Sequence, residues 1–570
     1  MSAQRPARGD GDGSRSQRRF LKGSVGAKIA GAAVAAVLAC LTMATGASAQ
    51  SVCSDTWTGS SEGNWQTAAD WSTGNVPTSS DVACIEAPAR VDVSEGAAQA
   101  GVVQGEGALA LSGGTLEVTN ALEASDIASL TLGGGTLTVA GELFVSSVLS
   151  AGGSGVTSVS GSGRLVVGSA AQGTITGGRC YRLFLNGVTL VNQGTLTFGA
   201  PSGAEDGSIW MENGAQLQNT GTFNDNSTEP GGCGFGRVPS INNNGGTTPT
   251  ITNTGTFQST DSQEPITIAV PFDNQGNATA QVGSLQLGDG GTNTTGATFA
   301  AATSATLEFT GGSFALTGAN WSGPGTIGVA GATVTATSLQ ATTAHVSVSA
   351  GSLSIPSGST TSVTALTLTG GTLDLPGQLN VNSTLSGAGR TATIEGSGKL
   401  VLGSAAQATI TGERCYRLFL NGTTLVNQGT LTFGTPSGAE DGSIWMENGA
   451  QLQNTGTFND NSTEPGGCGF GRVPSINNNG GTTPTITNTG TFQSTNSQEP
   501  ITINVPFNNQ GNLNAQTGTL QLNDGGSATS AADFSAATGA ALAFTSGSYT
   551  LTGSNWTGAG TVAIQGANVS

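Results

Sequence analysis

The chain has one histidine, His345, among 570 residues, and only 9% of its residues are charged, against about 25% in an average protein. Serine and cysteine nucleophiles need a positioned base, most often histidine. His345 lies in "TTAHVSVSAG", an alternating run without acidic or cysteine neighbours, and reads as a strand residue facing solvent or a neighbouring coil. A single histidine excludes histidine-rich zinc sites, and no C-x-x-C pair occurs. Lysine is nearly absent too: beyond residue 49 only Lys399 remains. No apolar run after that point approaches the ~20 residues of a membrane-spanning helix.

What is present is equally uneven. Glycine contributes 91 residues, and Ser, Thr, Ala, Asn and short aliphatics make up most of the rest. The aliphatics recur too regularly for a disordered chain. Such a composition predicts many short strands joined by tight turns.

The first 49 residues stand apart. Arg5, Arg8, Arg15, Arg18, Arg19, Lys22 and Lys28 precede an apolar run from Ile29 that ends in "ASAQ". This is the layout of a secretory signal peptide, with cleavage expected after Ala49. "SQRRFLK" approaches a twin-arginine signal, but Gln17 stands where the first arginine belongs, which favours the general route. "VLAC" at Val37–Cys40 is a weak lipoprotein box, because the apolar run continues past Cys40. Removing seven basic and two acidic residues leaves 10 against 33, a net charge near −23. That balance argues against nucleic acid and anionic membranes as partners. Cations remain open, beside the simpler reading that spread acidic charge keeps an extracellular polymer soluble.

Internal repeats organise the remainder. "CYRLFLNG" begins at Cys180 and again at Cys415, an offset of 235 that also relates Trp210 to Trp445, Cys233 to Cys468 and Trp321 to Trp556. Between Cys180 and Phe272 the copies differ only at Val188/Thr423, Ala200/Thr435, Asp261/Asn496 and Ala269/Asn504. The expected organisation is a leader (1–49), a unique segment (50–100) and two long units (101–335 and 336–570). Inside each unit, Gly-[Thr/Ser]-[aliphatic or aromatic] recurs, followed by strict alternation as in "GTLTFG" and "GSLQLGD". Period-2 alternation puts Leu196 and Phe198 on one face and the threonines on the other.

A sandwich would repeat near 100 residues and a propeller at ~40–50, and neither period is present. An all-β β-solenoid fits, since each coil needs few inward aliphatics. About twenty coils at ~4.8 Å would give a rod of roughly 90–100 Å. "INNNGG" (Ile241–Gly246, repeated from Ile476) suits either an asparagine ladder at a corner or a plain polar loop.

Phrases such as "NQGTLTFG", "NTGTF" and "GSGRLVV" resemble the Gly/Thr/Asn-rich β-helical repeats of bacterial secreted surface adhesins and autotransporter passenger domains. The resemblance covers residues 100–570. The opener "WTGSSEGNWQTAADWSTGNVPTSSDVACI" is similar to segments that precede such arrays. These families imply a right-handed parallel β-helix, a role in adhesion or at the cell surface, and no catalytic residues to carry over.

Six cysteines remain after the leader, an even number in an oxidising compartment. Cys180 and Cys415 lie a full unit apart, far beyond the ~7 Å reach of a disulfide. The economical pairing is Cys53–Cys84, Cys180–Cys233 and Cys415–Cys468, with free thiols as the alternative. Residues 50–100 carry Trp57, Trp65, Trp71 and Pro77 and read as a cap closing the first coil. The alternative makes those tryptophans a sugar-stacking platform. At the other end "GANVS" aligns with "GATVT" at Gly331–Thr335, where the first unit runs on, so a longer parent protein is expected.

Sugar cleavage is the serious catalytic rival, since two carboxylates suffice. The candidates are Glu205, Asp206, Glu212, Asp225 and Glu229, with Arg182 and Arg237 as binders. Their twins are Glu440, Asp441, Glu447, Asp460 and Glu464, with Arg417 and Arg472. If "SIWMEN" is a strand, Ile209 and Met211 face the core while Trp210 and Glu212 project outward together. The pair, with Trp445 and Glu447, could hold a sugar or calcium, or pack on the loop "NDNSTEPGGCGFGR". Against catalysis, the acidic clusters and lysines expected from a resemblance to pectin-cleaving β-helices are missing, as are calcium nonapeptides. A near-copy on the same rod serves a multivalent binder more than an enzyme. The reading favoured is therefore a secreted or cell-surface structural or adhesive solenoid, monomeric, without cofactor, metal or catalysis. Its partners would be surface glycans or other surface proteins. A carbohydrate-binding β-helix comes second and a glycan-cleaving enzyme third.

Overall fold

The computed structural model describes residues 51–570 apart from 154, 177–180, 200–206, 228–239, 261–264, 390, 412–415, 435–441, 463–474 and 496–499. These residues form an all-β parallel solenoid of about twenty turns, with a single short 3-10 helix, Ala68–Asp70. Each turn contributes three short strands, and each strand pairs in parallel with the strand one turn on. Thr189–Asn192, for example, pairs with Gln216–Asn219, and that strand with Thr250–Asn253. Several longer strands, such as Val102–Leu111, Glu142–Ala151 and Gln378–Gly387, bend around a corner. They belong to two faces, with a register shift at the bend.

Alternation decides what the solenoid buries. In Thr195–Phe198, Leu196 and Phe198 are buried and the threonines are half-exposed, as the period-2 pattern requires. Because each coil sits in register on the last, like side chains stack on like. Leu190, Leu217 and Ile251 occupy one inward column. Phe223 and Phe257 lie face to face, with centroids 4.7 Å apart and planes 4° from parallel. His345 is an exposed residue of Ala341–Ser354.

One corner carries a second column that is polar and buried. Asn192, Asn219, Asn253 and Asn274 are each 0% exposed. Each Nδ2 donates to the Oδ1 of the next asparagine, at 2.7, 2.7 and 2.8 Å. The other Nδ2 hydrogens go to backbone oxygens of Thr222, Thr256, Asn277 and Thr298. Asn427, Asn454, Asn488 and Asn509 repeat the arrangement. Two residues beyond each asparagine stands a glycine of the Asn-x-Gly phrase. A Cβ at Gly221 or Gly255 would collide with the glycine carbonyl of the coil below, so only glycine allows this corner its spacing.

The fully buried ladder runs outside "INNNGG", and in the first copy that phrase forms a polar turn. There, Asn243 Oδ1 accepts from Gly245 N to close a turn, and Asn244 bonds Glu212. In the second copy Asn477 does stack, with Asn504 at 3.0 Å and Asn523 beyond it at 3.2 Å. The first copy has Ala269 at the position of Asn504.

At the N-terminal end Cys53 and Cys84 form a disulfide, with Cα atoms 5.8 Å apart. Trp57, Trp65 and Trp71 are 6%, 0% and 2% exposed and pack edge-on to one another. Their rings close the first turn and leave no face for a sugar. The segment is not separate from the array: Asp55–Thr56 pairs with Val82–Cys84 and Glu62–Asn64 with Arg90–Val93, both in parallel. Cys180, Cys233, Cys415 and Cys468 lie outside the described residues, as do residues 1–49.

All three tyrosines of the chain, Tyr181, Tyr416 and Tyr549, are buried. Burial pushes the Tyr181 and Tyr549 phenols up from 10.0 to about 12 and raises Tyr416 as well. A raised folded pKa means that the neutral phenol is favoured in the native state. The stability tied to it is complete below pH 10 and is lost as the pH climbs through about 12. Absorbance at 295 nm should stay flat past pH 10 and rise only as the β-sheet circular dichroism collapses. Phenolate appearing near pH 10 with the β signal intact would contradict this packing.

Candidate functional site

The site is built on three consecutive strands of one face: Arg182–Asn186, Ser208–Glu212 and Ile241–Asn243. Their inward residues, Leu183, Leu185, Ile209, Met211 and Ile241, are buried. The outward residues then fall into columns: Arg182 beside Ser208, Phe184 beside Trp210, and Asn186 beside Glu212. Trp210 also stands beside Asn242 on the other side. The strand and its alternation are those expected of "SIWMEN", and they bring Trp210 and Glu212 out together.

Trp210 is only half-exposed, since three neighbours take part of its ring. Phe184 stacks on it at 5.9 Å with planes 29° apart. The Arg182 guanidinium lies 5.3 Å from the ring centroid, a cation–π contact worth about 0.5–1 kcal/mol at such a position. The indole N–H donates to the Ser208 hydroxyl. Glu212 Oε2 accepts from Asn244 Nδ2 at 2.5 Å, which aims the carboxylate along the strand edge. The second copy reproduces the set: Phe419 and Trp445 at 6.2 Å, Arg417 over Trp445 at 5.2 Å, and Asn479 to Glu447 at 2.6 Å.

Asp225 does not join them. It is fully buried, and its Oδ1 accepts from the backbone N and hydroxyl of Ser227 at 3.1 and 2.5 Å. Its Oδ2 accepts from the Ser240 hydroxyl at 3.1 Å. The carboxylate thus ties together the two chain segments that flank residues 228–239, and Asp460 does the same with Ser462 and Ser475. Glu205, Asp206, Glu229 and Arg237 lie outside the described residues, as do Glu440, Asp441, Glu464 and Arg472.

Chemically, the described patch offers an aromatic face, a guanidinium, amides and one carboxylate. The register neighbours of Glu212 are amides; on the same face Asp289 accepts from Asn243, beside Asn244, and burial raises its carboxyl above the ordinary value, as with Asp524 and Asn478 in the second copy. Among the described residues no group of His, Cys, Asp and Glu is arranged to hold a metal ion, and no helix is long and apolar enough to cross a membrane. Sequence reasoning named Arg182 as a binder beside the carboxylates but missed its contact with Trp210, and it passed over Phe184 beside Trp210 and Asn244 beside Glu212. The signal that could have found them is the equal alternation of "RLFLN" and "SIWME", which matches Phe to Trp when the strands are laid in register. No protein-family model matches the chain, and neither curated proteins nor solved structures yield a similar one.

The inward and outward assignments carry different costs. Met211→Ala should destabilise by about 2–5 kcal/mol, as buried large-to-small changes do. Trp210→Ala should cost about 1–2 kcal/mol, through its ring contacts and partial burial. Denaturant midpoints of the two variants check this, and a larger loss for Trp210→Ala would contradict the orientation of the strand.

Proposed function

We propose that this chain is a secreted or cell-surface structural solenoid, a stiff spacer that carries two copies of one interaction patch and performs no catalysis. The observation that carries this reading is the repetition of the Arg–Phe–Trp–Glu–Asn arrangement, 235 residues apart, with contact distances nearly unchanged. Conservation of a core would need only the inward residues to recur. Here the outward ones recur as well, on a continuous buried column that resists bending. The leader-like first 49 residues and the strongly acidic remainder support an exported, soluble chain. The resemblance to adhesin-type repeats points to the same class.

A second reading has its own support. A half-exposed indole flanked by a guanidinium, a carboxylate and amides is the chemistry that binds neutral or acidic sugars, by stacking and by hydrogen bonds. The patch is thus proposed as a carbohydrate contact within the spacer, and glycan cleavage ranks below both.

Three measurements on the secreted chain test the proposal. Small-angle scattering should give an elongated particle. A glycan array should show binding that falls at least tenfold in the Trp210→Ala/Trp445→Ala variant. The same glycans should release no product over hours. A compact scattering profile would overturn the spacer, and product release that is lost in Glu212→Gln/Glu447→Gln would overturn the non-catalytic assignment.

A further inference from the structure

The two copies of the patch are related by 235 residues, and strand pairing reveals how many turns that is. The face that carries Thr189–Asn192 can be followed coil by coil. Leu190 stacks under Leu217, Leu217 under Ile251, Ile251 under Phe272, and Asn274 of that strand bridges to Asn293. The column continues from Gly291 to Phe314, Val334, Leu353, Leu373, Ile394, Leu420 and finally Met446. It arrives at Ser443–Glu447, the strand of Trp445. The duplicate of the starting strand is Thr424–Asn427, which this column never meets.

The face of Trp210 gives the same answer independently. From Ile209 it runs through Ile241, Ile268, Leu287, Phe309, Val329, Val348, Leu368, Gly387 and Ile410 to Phe433. Phe433 ends Thr430–Phe433, the strand that precedes the Trp445 strand in its own coil. One duplicated unit therefore spans about ten turns plus one further strand. The second copy is displaced by one face of a three-faced solenoid.

We propose that the protein bridges two separate partner particles, one at each patch, and does not grip a single flat surface twice. The inference rests on the patch being a binding site. At ~4.8 Å per turn the copies are roughly 50 Å apart along the solenoid axis, and they look outward from different faces, about a third of a turn apart. A flat glycan-bearing surface laid along one face meets one patch and misses the other. Avidity for such a surface requires that both sites be reachable at once, and it is lost when geometry forbids this. Two partners approaching from different sides are each met by a complete patch. A unit with a whole number of turns would have placed both patches on one face.

The geometry can be tested without the natural ligand. A short biotin linker is installed through an unnatural azide side chain at Asn244 and Asn479, which are equivalent and exposed. The protein is then captured at low density on a flat streptavidin layer. The doubly tagged chain should bind a second streptavidin layer at about one molecule per captured protein, and chains tagged at one site should bind none. A second layer near zero for the doubly tagged chain would place both tags on one side and overturn the bridging role. Failure of the glycan array would remove the role by a different route, by denying that the patch binds, so the two failures are distinguishable.

Discussion

The structure depends on one constraint: each coil must lie in register on the coil before it. Parallel backbone hydrogen bonds set the spacing between coils, but by themselves they would tolerate a slip along the strand. A slip of one residue would turn every inward aliphatic outward. The buried asparagines forbid this. Asn219 must receive from Asn192 and donate to Asn253, and even a slip of two residues, which keeps inward residues inward, would set an asparagine against Leu190 or Ile251 instead. A buried amide left without partners costs about 1–3 kcal/mol, so each rung penalises misalignment of its own coil. Paired phenylalanines reinforce the same alignment with apolar contact.

From that constraint the rest follows. In-register stacking frees the outward positions to vary, because the core is complete without them. Trp210 and Glu212 can be displayed on a strand whose stability comes from Ile209 and Met211. It also gives the segments on either side of residues 228–239 a fixed base. Asp225 anchors the residues on either side of 228–239 through buried hydrogen bonds to Ser227 and Ser240, and Asp460 does so in the second copy. Finally, it makes orientation a matter of counting. A duplication of 235 residues fixes where the second patch points as soon as the strands per turn are known.

Much of the fold was legible because alternation and glycine are local signals. "GTLTFG" announces a short strand with Leu196 and Phe198 inward, and the duplicated cysteines and tryptophans announce the two units. Cys53–Cys84 was legible from spacing. The ladder was not, although it lies within "NQGT" and "NTGT" phrases. An asparagine ending a strand reads as a turn residue, and its burial depends on another asparagine arriving one coil later. Those coils differ in length, so the ladder positions 192, 219, 253 and 274 show no fixed period. The displaced face of the second copy was hidden for the same reason. The candidate site was half legible: alternation put Trp210 beside Glu212 on the outside, but Phe184, Arg182 and Asn244 reach them only through inter-coil register.

Hydrogen exchange of the Asn219→Leu variant tests the central claim most directly. Leucine is close to asparagine in size but removes the bond received from Asn192 and those donated to Asn253 and to the Thr256 backbone oxygen. If register is held by the ladder, exchange should quicken by tenfold or more at backbone amides of the flanking strands, Thr189–Asn192 and Thr250–Asn253. The distant ladder from Asn427 to Asn509 should keep its protection. Unchanged exchange beside Asn219 would show that backbone pairing and apolar stacking hold the register without the asparagines, and would contradict the account.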